Sequence, residues 1–173
     1  MIRITSAVSL AFCLISAMFT QVRAQGADTS HEIGIVYYAD HDSFKALDKE
    51  TASESGRSNY SARIKGAHST VRLQEDHPLV FRVCGVDPSR FKLFRFKSEG
   101  NERTLLIAKT NMLIGGTKTV ISDSEIHVAI EATEGGCFTL TPRRTLGDGE
   151  FGFSPVESLD AFMFGIGDVK QSK

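Results

Sequence analysis

Along most of the chain, hydrophobic and polar residues alternate with a period of two, which is the spacing of a β-strand with one buried face. The clearest examples are residues 79–84, 91–97 and 126–130. No window has a sustained 3.6-residue period, and only residues 156–160 are suited to a single helical turn. The pattern therefore predicts an all-β fold.

The predicted strands are rich in β-branched and aromatic residues, and they end at Gly, Pro, Asn, Asp or Ser. In chain order they cover residues 32–39, 44–48, 60–65, 69–73, 79–84, 91–97, 102–108, 126–131, 137–141, 150–153 and 161–166. Residues 51–59 are polar and predict an exposed loop, and residues 110–124 are either a short strand or a long loop. The expected architecture is a single-domain sandwich or partly open barrel of about nine to eleven short antiparallel strands.

Two local patterns have alternative interpretations. Asp87-Pro88-Ser89 is a turn signal in which Asp87 or Ser89 is also able to cap a short helical turn. In residues 91–97 both faces are partly apolar, with Phe94 and Phe96 on one and Leu93 on the other. That is the pattern of a strand between two layers, or of an exposed strand that binds a peptide by strand addition.

The chain begins with a segment that has the composition of a secretory signal peptide. Arg3 precedes an apolar run over residues 4–19, and Val22-Arg23-Ala24 fits a cleavage site. This run of 16 residues is shorter than the roughly 20 that a membrane span needs. We therefore predict a signal peptide at 1–24, a disordered lead-in at 25–31, one β domain at 32–167 and a flexible tail at 168–173.

Removal of residues 1–24 leaves 149 residues, and the net charge changes from −1 to −3 because Arg3 and Arg23 are lost. An acidic chain without a cluster of Lys and Arg is a poor nucleic-acid binder. The expected location is the periplasm or the exterior of the cell, without stable membrane insertion after cleavage. The expected partner is an envelope or periplasmic protein of unknown identity.

Two cysteines, Cys84 and Cys137, remain in the predicted mature chain. In an oxidising compartment they are candidates for one disulfide. Two separately buried thiols are the alternative, because free Cys is among the most buried residue types. Neither cysteine has the CxxC spacing or the neighbouring His that a reactive thiolate requires.

Asp40, His41 and Asp42 are weak candidates for a metal site, since two carboxylates and an imidazole are adjacent there. A solvated hairpin turn is the alternative. HExxH spacing and the GxSxG element of serine hydrolases are both missing from the sequence. We predict no catalytic residue and no cofactor.

Glu150 stands at the start of a predicted strand, and Arg95 and Arg103 lie on predicted strands. An ion pair between Glu150 and one of these arginines would stabilise the sheet. A general acid in a cleft is the functional alternative, but it needs a second carboxylate at a defined distance. The sequence favours the structural ion pair.

A series of short motifs runs through residues 33–167. It consists of Val36-Tyr37-Tyr38 with Leu47, Gly66-Ala67-His68-Ser69, Pro78 with Phe81, Asp87-Pro88-Ser89, Leu93-Phe94-Arg95 with Arg103, Leu146-Gly147-Asp148-Gly149-Glu150-Phe151-Gly152-Phe153, and Phe164-Gly165. In this order they resemble an uncharacterised class of exported bacterial β-sandwich-like domains, in which Pro often stands where this chain has Asp148. The resemblance implies a fold and an export route, and no catalytic residue.

These observations favour an exported, non-enzymatic binding or accessory domain of the bacterial cell envelope. One alternative is a hydrolase that acts on an envelope polymer through carboxylates, which requires a deep cleft with convergent acids. The other is a carrier of a small apolar ligand, which requires an internal cavity lined by Phe side chains.

Overall fold

A computed structural model describes residues 31–56, 58–74, 78–110 and 116–168. The predicted signal peptide, residues 25–30 of the lead-in, residues 169–173 of the tail and residues 111–115 lie outside this described part. The strands are β1 (Val36–Asp40), β2 (Ser43–Ala46), β3 (Asp48–Thr51), β4 (Ser53–Ser55), β5 (Asn59–Lys65), β6 (Arg72–Leu73), β7 (Phe81–Cys84), β8 (Phe91–Glu99), β9 (Glu102–Thr110), β10 (Thr117–Thr119), β11 (Glu125–Ile126), β12 (Val128–Thr133), β13 (Cys137–Pro142), β14 (Gly149–Pro155) and β15 (Asp160–Ile166).

Helical structure in the described residues consists of three short 3₁₀ turns, Pro88–Arg90, Ile121–Ser124 and Glu134–Gly136. Among the helical segments described, none has the length and apolar character needed to cross a membrane. The predicted all-β class is confirmed. The structure has more strands than the nine to eleven expected because several of them are only two to four residues long.

The strands form two sheets. The smaller has the order β12-β13-β7-β1-β2, and the larger has the order β3-β15-β14-β8-β9-β5-β4, with β10, β11 and β6 attached to β9, β8 and β15. Neighbouring strands are antiparallel except for β6, which runs parallel to β15. The predicted hairpin near residue 40 is confirmed as β1–β2.

The larger sheet nearly closes into a barrel because β3 and β4 are consecutive parts of one bent segment. β3 pairs with β15 at one edge of the sheet, and β4 pairs with β5 at the other edge. Ala52 joins the two strands, and its N–H donates to the carbonyl of Leu159 at 2.8 Å. The barrel wall therefore consists of the bent segment, β5, β9, β8, β14 and β15.

Three strands of the barrel, β8, β14 and β15, form the boundary between two hydrophobic cores. On one face, Phe153 and Phe164 pack against Phe81 of the smaller sheet, with ring centroids 4.9 Å from the Phe81 ring in both pairs. On the other face, Phe94 and Met163 belong to the core inside the barrel. This arrangement confirms that residues 91–97 form a strand between two layers. Since β8 pairs with β14 on one side and with β11 and β9 on the other, it has no open edge for a peptide.

The loop predicted for residues 51–59 is wrong. Residues 51 and 53–55 belong to β3 and β4, and residue 59 begins β5. Within this segment Ala52 is the buried residue, so the hydrophobic alternation that marks a strand is too sparse to recognise. The strand predicted at 69–73 is shorter than expected, because only Arg72–Leu73 pairs with a neighbour.

The helical turn suggested for residues 156–160 is also wrong, because this segment is the tight connection between β14 and β15. Glu157 adopts φ = 63°, which is left-handed and incompatible with a right-handed helical turn. The helical turn near Asp87 is confirmed. An Asp87 carboxylate oxygen accepts from the Ser89 N–H at 2.9 Å and thereby caps Pro88–Arg90.

The Cys84–Cys137 disulfide is confirmed. The two cysteines are directly opposite each other on β7 and β13, with Cα atoms 4.0 Å apart. The bond joins residues 53 positions apart in the chain. For a loop of this length, chain-entropy reasoning gives a stabilisation of about 4 kcal/mol.

Candidate functional site

Glu150 is the centre of a charged cluster at one end of the barrel. It lies at the start of β14, opposite Phe96 and Gly165, and its side chain is only 3% exposed. Oε1 accepts from Arg72 Nη1 at 2.5 Å and lies 3.2 Å from Nδ1 of His68. Oε2 accepts from the backbone N–H and the hydroxyl of Ser69, at 2.8 and 2.7 Å. Four polar contacts thus occupy a carboxylate that has about four acceptor positions.

Arg103 is the second buried charge, with 1% of the residue exposed. Its guanidinium binds both carboxylate oxygens of Glu50, at 2.9 and 2.6 Å. It also donates to the Ser69 hydroxyl and to the carbonyls of Gly66 and Lys65, each at 2.9 Å. These bonds use all five N–H groups of the guanidinium.

Ser69 connects the two ion pairs, because its hydroxyl accepts from Arg103 and donates to Glu150. We use the term barrel-end network for the side chains Glu50, His68, Ser69, Arg72, Arg103 and Glu150. A buried polar network is stable only when its members are satisfied, and the bonds described above meet that condition.

The chain from Gly66 to Arg72 covers this end of the barrel. Arg72 donates from Nε and Nη2 to the carbonyl of Gly167, at 3.0 and 2.6 Å, and from Nη2 to the carbonyl of Ile166 at 2.8 Å. Its guanidinium lies where a side chain at Gly165 would project, since a Cβ built there would be 1.6 Å from Arg72 Nη1. A glycine is therefore required opposite Glu150 for the arginine to fit.

An open depression of about 530 Å³ lies over the network. We call it the barrel-end depression. The residues that line it carry both signs of charge: Asp48, Lys49, Glu50, Lys65, Gly66, His68, Thr70 and Arg103. The Glu50 side chain is 27% exposed here, whereas Glu150 lies beneath the surface. A second open cavity of about 500 Å³ lies between the β1–β2 hairpin and residues 78–81.

The geometry restricts the chemistry of the two acids. Glu150 binds Ser69 directly and Glu50 reaches it through Arg103, but each carboxylate is bound by a guanidinium. A carboxylate that acts on a substrate must direct a free oxygen at it, whereas both oxygens of Glu50 and of Glu150 accept hydrogen bonds from the protein. Ser69 is buried and does not line the depression, so its hydroxyl is not presented to a substrate as a nucleophile must be.

The arginine that pairs with Glu150 differs from the two that were predicted. Arg72 forms the direct pair, and Arg103 reaches Glu150 only through Ser69. Arg95 lies on the opposite face of the sheet, because it pairs with Phe151 whereas Glu150 pairs with Phe96. There Arg95 donates to the carbonyl of Asp148 at 2.8 Å.

The candidate metal residues Asp40, His41 and Asp42 form the hairpin turn between β1 and β2. Lys45 Nζ pairs with one oxygen of Asp40, and Nδ1 of His41 lies 3.0 Å from the other. The hydrogen bond from Lys45 and the one with His41 hold the pKa of Asp40 below its usual value. Within the described residues, no group of three or more His, Cys, Asp or Glu side chains is arranged to hold a metal ion.

Sequence reasoning missed Glu50, Arg72 and the central position of Ser69. Glu50 lay in a segment without strand periodicity, and Arg72 had no sequence feature that linked it to a distant glutamate. One signal was available, because Ser69, Arg103 and Glu150 all belong to the series of short motifs. These three residues meet in the barrel-end network.

Comparison of the chain with protein-family models, with curated proteins and with solved structures finds no match.

Proposed function

We propose that this protein is an exported, non-enzymatic binding domain of the bacterial cell envelope, which engages an envelope or periplasmic protein at the barrel-end depression. The observation that carries the proposal is the saturation of the barrel-end network. The Glu150 carboxylate and the Arg103 guanidinium form their hydrogen bonds with other groups of the protein. The result is a rigid polar surface, which suits recognition better than proton transfer.

The proposed export rests on the signal-like composition of residues 1–24 and on the motif series. The Cys84–Cys137 disulfide adds weak support, because such bonds persist mainly in oxidising compartments. The same reasoning favours the periplasm or the cell exterior as the location.

The two alternatives have less support. A carboxylate hydrolase needs acids that are free to contact the substrate, but Glu50 and Glu150 are each paired with an arginine. A carrier of an apolar ligand needs a cavity lined by aromatic rings. In the described part of the chain the Phe rings pack against one another, and the lining of each of the two depressions described above includes charged residues.

A binding assay with charge reversal tests the proposal. The purified protein is immobilised and exposed to envelope extract, and the retained proteins are identified and measured with Lys65→Glu in parallel. Lys65 is an exposed residue at the depression. Lys118→Glu is the matched control, because Lys118 is an exposed lysine on β10 and does not line the depression. We expect a partner that is lost with Lys65→Glu and retained with Lys118→Glu.

An activity assay tests the main alternative. The protein is incubated with envelope glycan and peptide polymers, and soluble fragments are measured. We expect none. Release of fragments that is abolished by Glu50→Gln, in a variant that circular dichroism shows to be folded, would overturn the non-enzymatic proposal.

A further inference from the structure

The edge strand β12 has backbone groups that point away from its sheet. It pairs with β13 on one side and is the last strand in the order of the smaller sheet. The Arg143 N–H donates to the carbonyl of His127 at 2.9 Å, which identifies residues 127 and 143 as a hydrogen-bonded pair. Because such pairs alternate along an antiparallel ladder, the N–H and C=O groups of Val128, Ile130 and Ala132 point to the open side.

The position of Pro142 agrees with this assignment. Pro142 is opposite Val128, at a position where the ladder between β12 and β13 needs no N–H from β13. Six backbone groups of β12 are therefore directed outward. No other strand in the described residues pairs with them.

β12 has few of the features that usually protect an edge strand, and Glu131 is its one charged residue. Its sequence, Val-Ala-Ile-Glu-Ala-Thr, contains no Lys, no Pro and no bulge, and Ile130 is 41% exposed. The other edge of the same sheet, β2, is only four residues long and carries Lys45. Of the two edges of the smaller sheet, β12 is the one suited to accept another strand.

The charges beside β12 favour a second copy of the same chain. Exposed Arg143 and Arg144 lie near the start of the strand, and exposed Glu131 and Glu134 lie towards its end. In an antiparallel pair of identical strands, the basic end of each copy lies beside the acidic end of the other. A parallel pair would instead place like charges together.

We infer that β12 pairs antiparallel with β12 of a second copy about a two-fold axis, with Ile130 opposite Ile130. This register brings Val128 opposite Ala132 and uses all six outward backbone groups of each copy. The two smaller sheets then become one continuous sheet of ten strands. An isologous contact of this kind closes after two subunits and limits the assembly to a dimer. The dimer does not depend on the proposed function of the barrel-end depression.

Sedimentation of the full chain tests the inference. Over protein concentrations from about 1 to 500 µM, the range expected for a small interface, the mass should rise from that of a monomer towards twice that value. Ile130→Pro removes the outward N–H at the axis without removing a bond to β13, so it should remain monomeric throughout.

Two further variants serve as a control and as an independent test. Ala46→Pro is the matched control, because the Leu47 N–H bonds to the carbonyl of Val36 and the N–H of residue 46 therefore points to the open side of β2. It should dimerise like the parent protein. Ile130→Lys keeps the backbone intact and places two ammonium groups together at the axis, so it should also remain monomeric. A parent protein that stays monomeric, or an Ile130→Lys protein that dimerises normally, would overturn the inference.

Discussion

Replacement of Glu150 by Gln probes the barrel-end network directly, because the two side chains have nearly the same size. Gln retains one acceptor oxygen but replaces the other with an NH₂ group. In one orientation of the amide, the NH₂ group faces the two donors of Ser69. In the other orientation, it faces Arg72 and His68. Two accepted bonds are lost, and the Arg72 guanidinium is left without its charged partner.

The expected loss of stability follows from these contacts. Hydrogen bonds to a charged group contribute about 1.5–3 kcal/mol each, so two lost bonds correspond to about 3–6 kcal/mol. Removal of one partner from a buried ion pair costs about 3–5 kcal/mol by independent measurements on other proteins. We therefore expect the free energy of unfolding to fall by about 4 kcal/mol, which is a large part of the roughly 5–15 kcal/mol typical of a domain.

Urea unfolding followed by circular dichroism measures this loss. With a slope of about 2 kcal/mol per molar, the midpoint should fall by about 2 M. Glu102→Gln is the control, because Glu102 pairs with Arg63 at 3.4 Å and both side chains are 43% exposed. That exposed pair should contribute less than about 1 kcal/mol. A similarly small loss with Glu150→Gln would refute the view that the network stabilises the barrel.

Three further outcomes are expected. Gly165→Ala should lower the free energy of unfolding by more than about 3 kcal/mol in urea titration. The new methyl group displaces the Arg72 guanidinium and breaks its ion pair with Glu150. An unchanged urea midpoint would contradict this placement of Arg72. The double variant Cys84→Ser with Cys137→Ser should lose about 4 kcal/mol in the same assay, and equal stability with the oxidised parent would contradict it. Hydrogen bonds from the Ser89 hydroxyl and N–H hold the pKa of Asp87 below its usual value of 3.8. The stability that Asp87 adds is therefore present above about pH 4, and it is lost as the pH falls through the lower pKa of the folded state. Titration by NMR should find the depressed pKa in the parent and a value nearer 3.8 in Ser89→Ala; identical values would exclude this cause.

The fold class was accessible from the sequence because burial and alternation coincide in most of the long strands. In β8, for example, Leu93 and Phe94 belong to different cores, and this two-sided character is visible in the sequence as apolar residues on both faces. The segment around Ala52 was not recognisable for the opposite reason. Its strand pairing comes from main-chain bonds, with one small buried side chain to mark it.

The barrel-end network was only partly accessible. Glu150 was recognised as a structural charge, but its partner depends on which sheet face an arginine occupies and on where a distant loop folds back. Arg72 lies 78 positions before Glu150 in the chain. Alternation specifies the face of a residue within its own strand, but it contains no information about the loop that will cover that face.

The closure of the barrel also determines the order in which the chain can fold. Thr51 of β3 bonds to Asp160 of β15, which is 109 positions later. The ion pair of Arg72 likewise cannot form until Glu150 of β14 has been synthesised. A growing chain therefore keeps β3 without its barrel neighbour until β15, the last strand, has been synthesised. Pairing between such distant segments is slow, and the open intermediate is the form most exposed to aggregation and to chaperones.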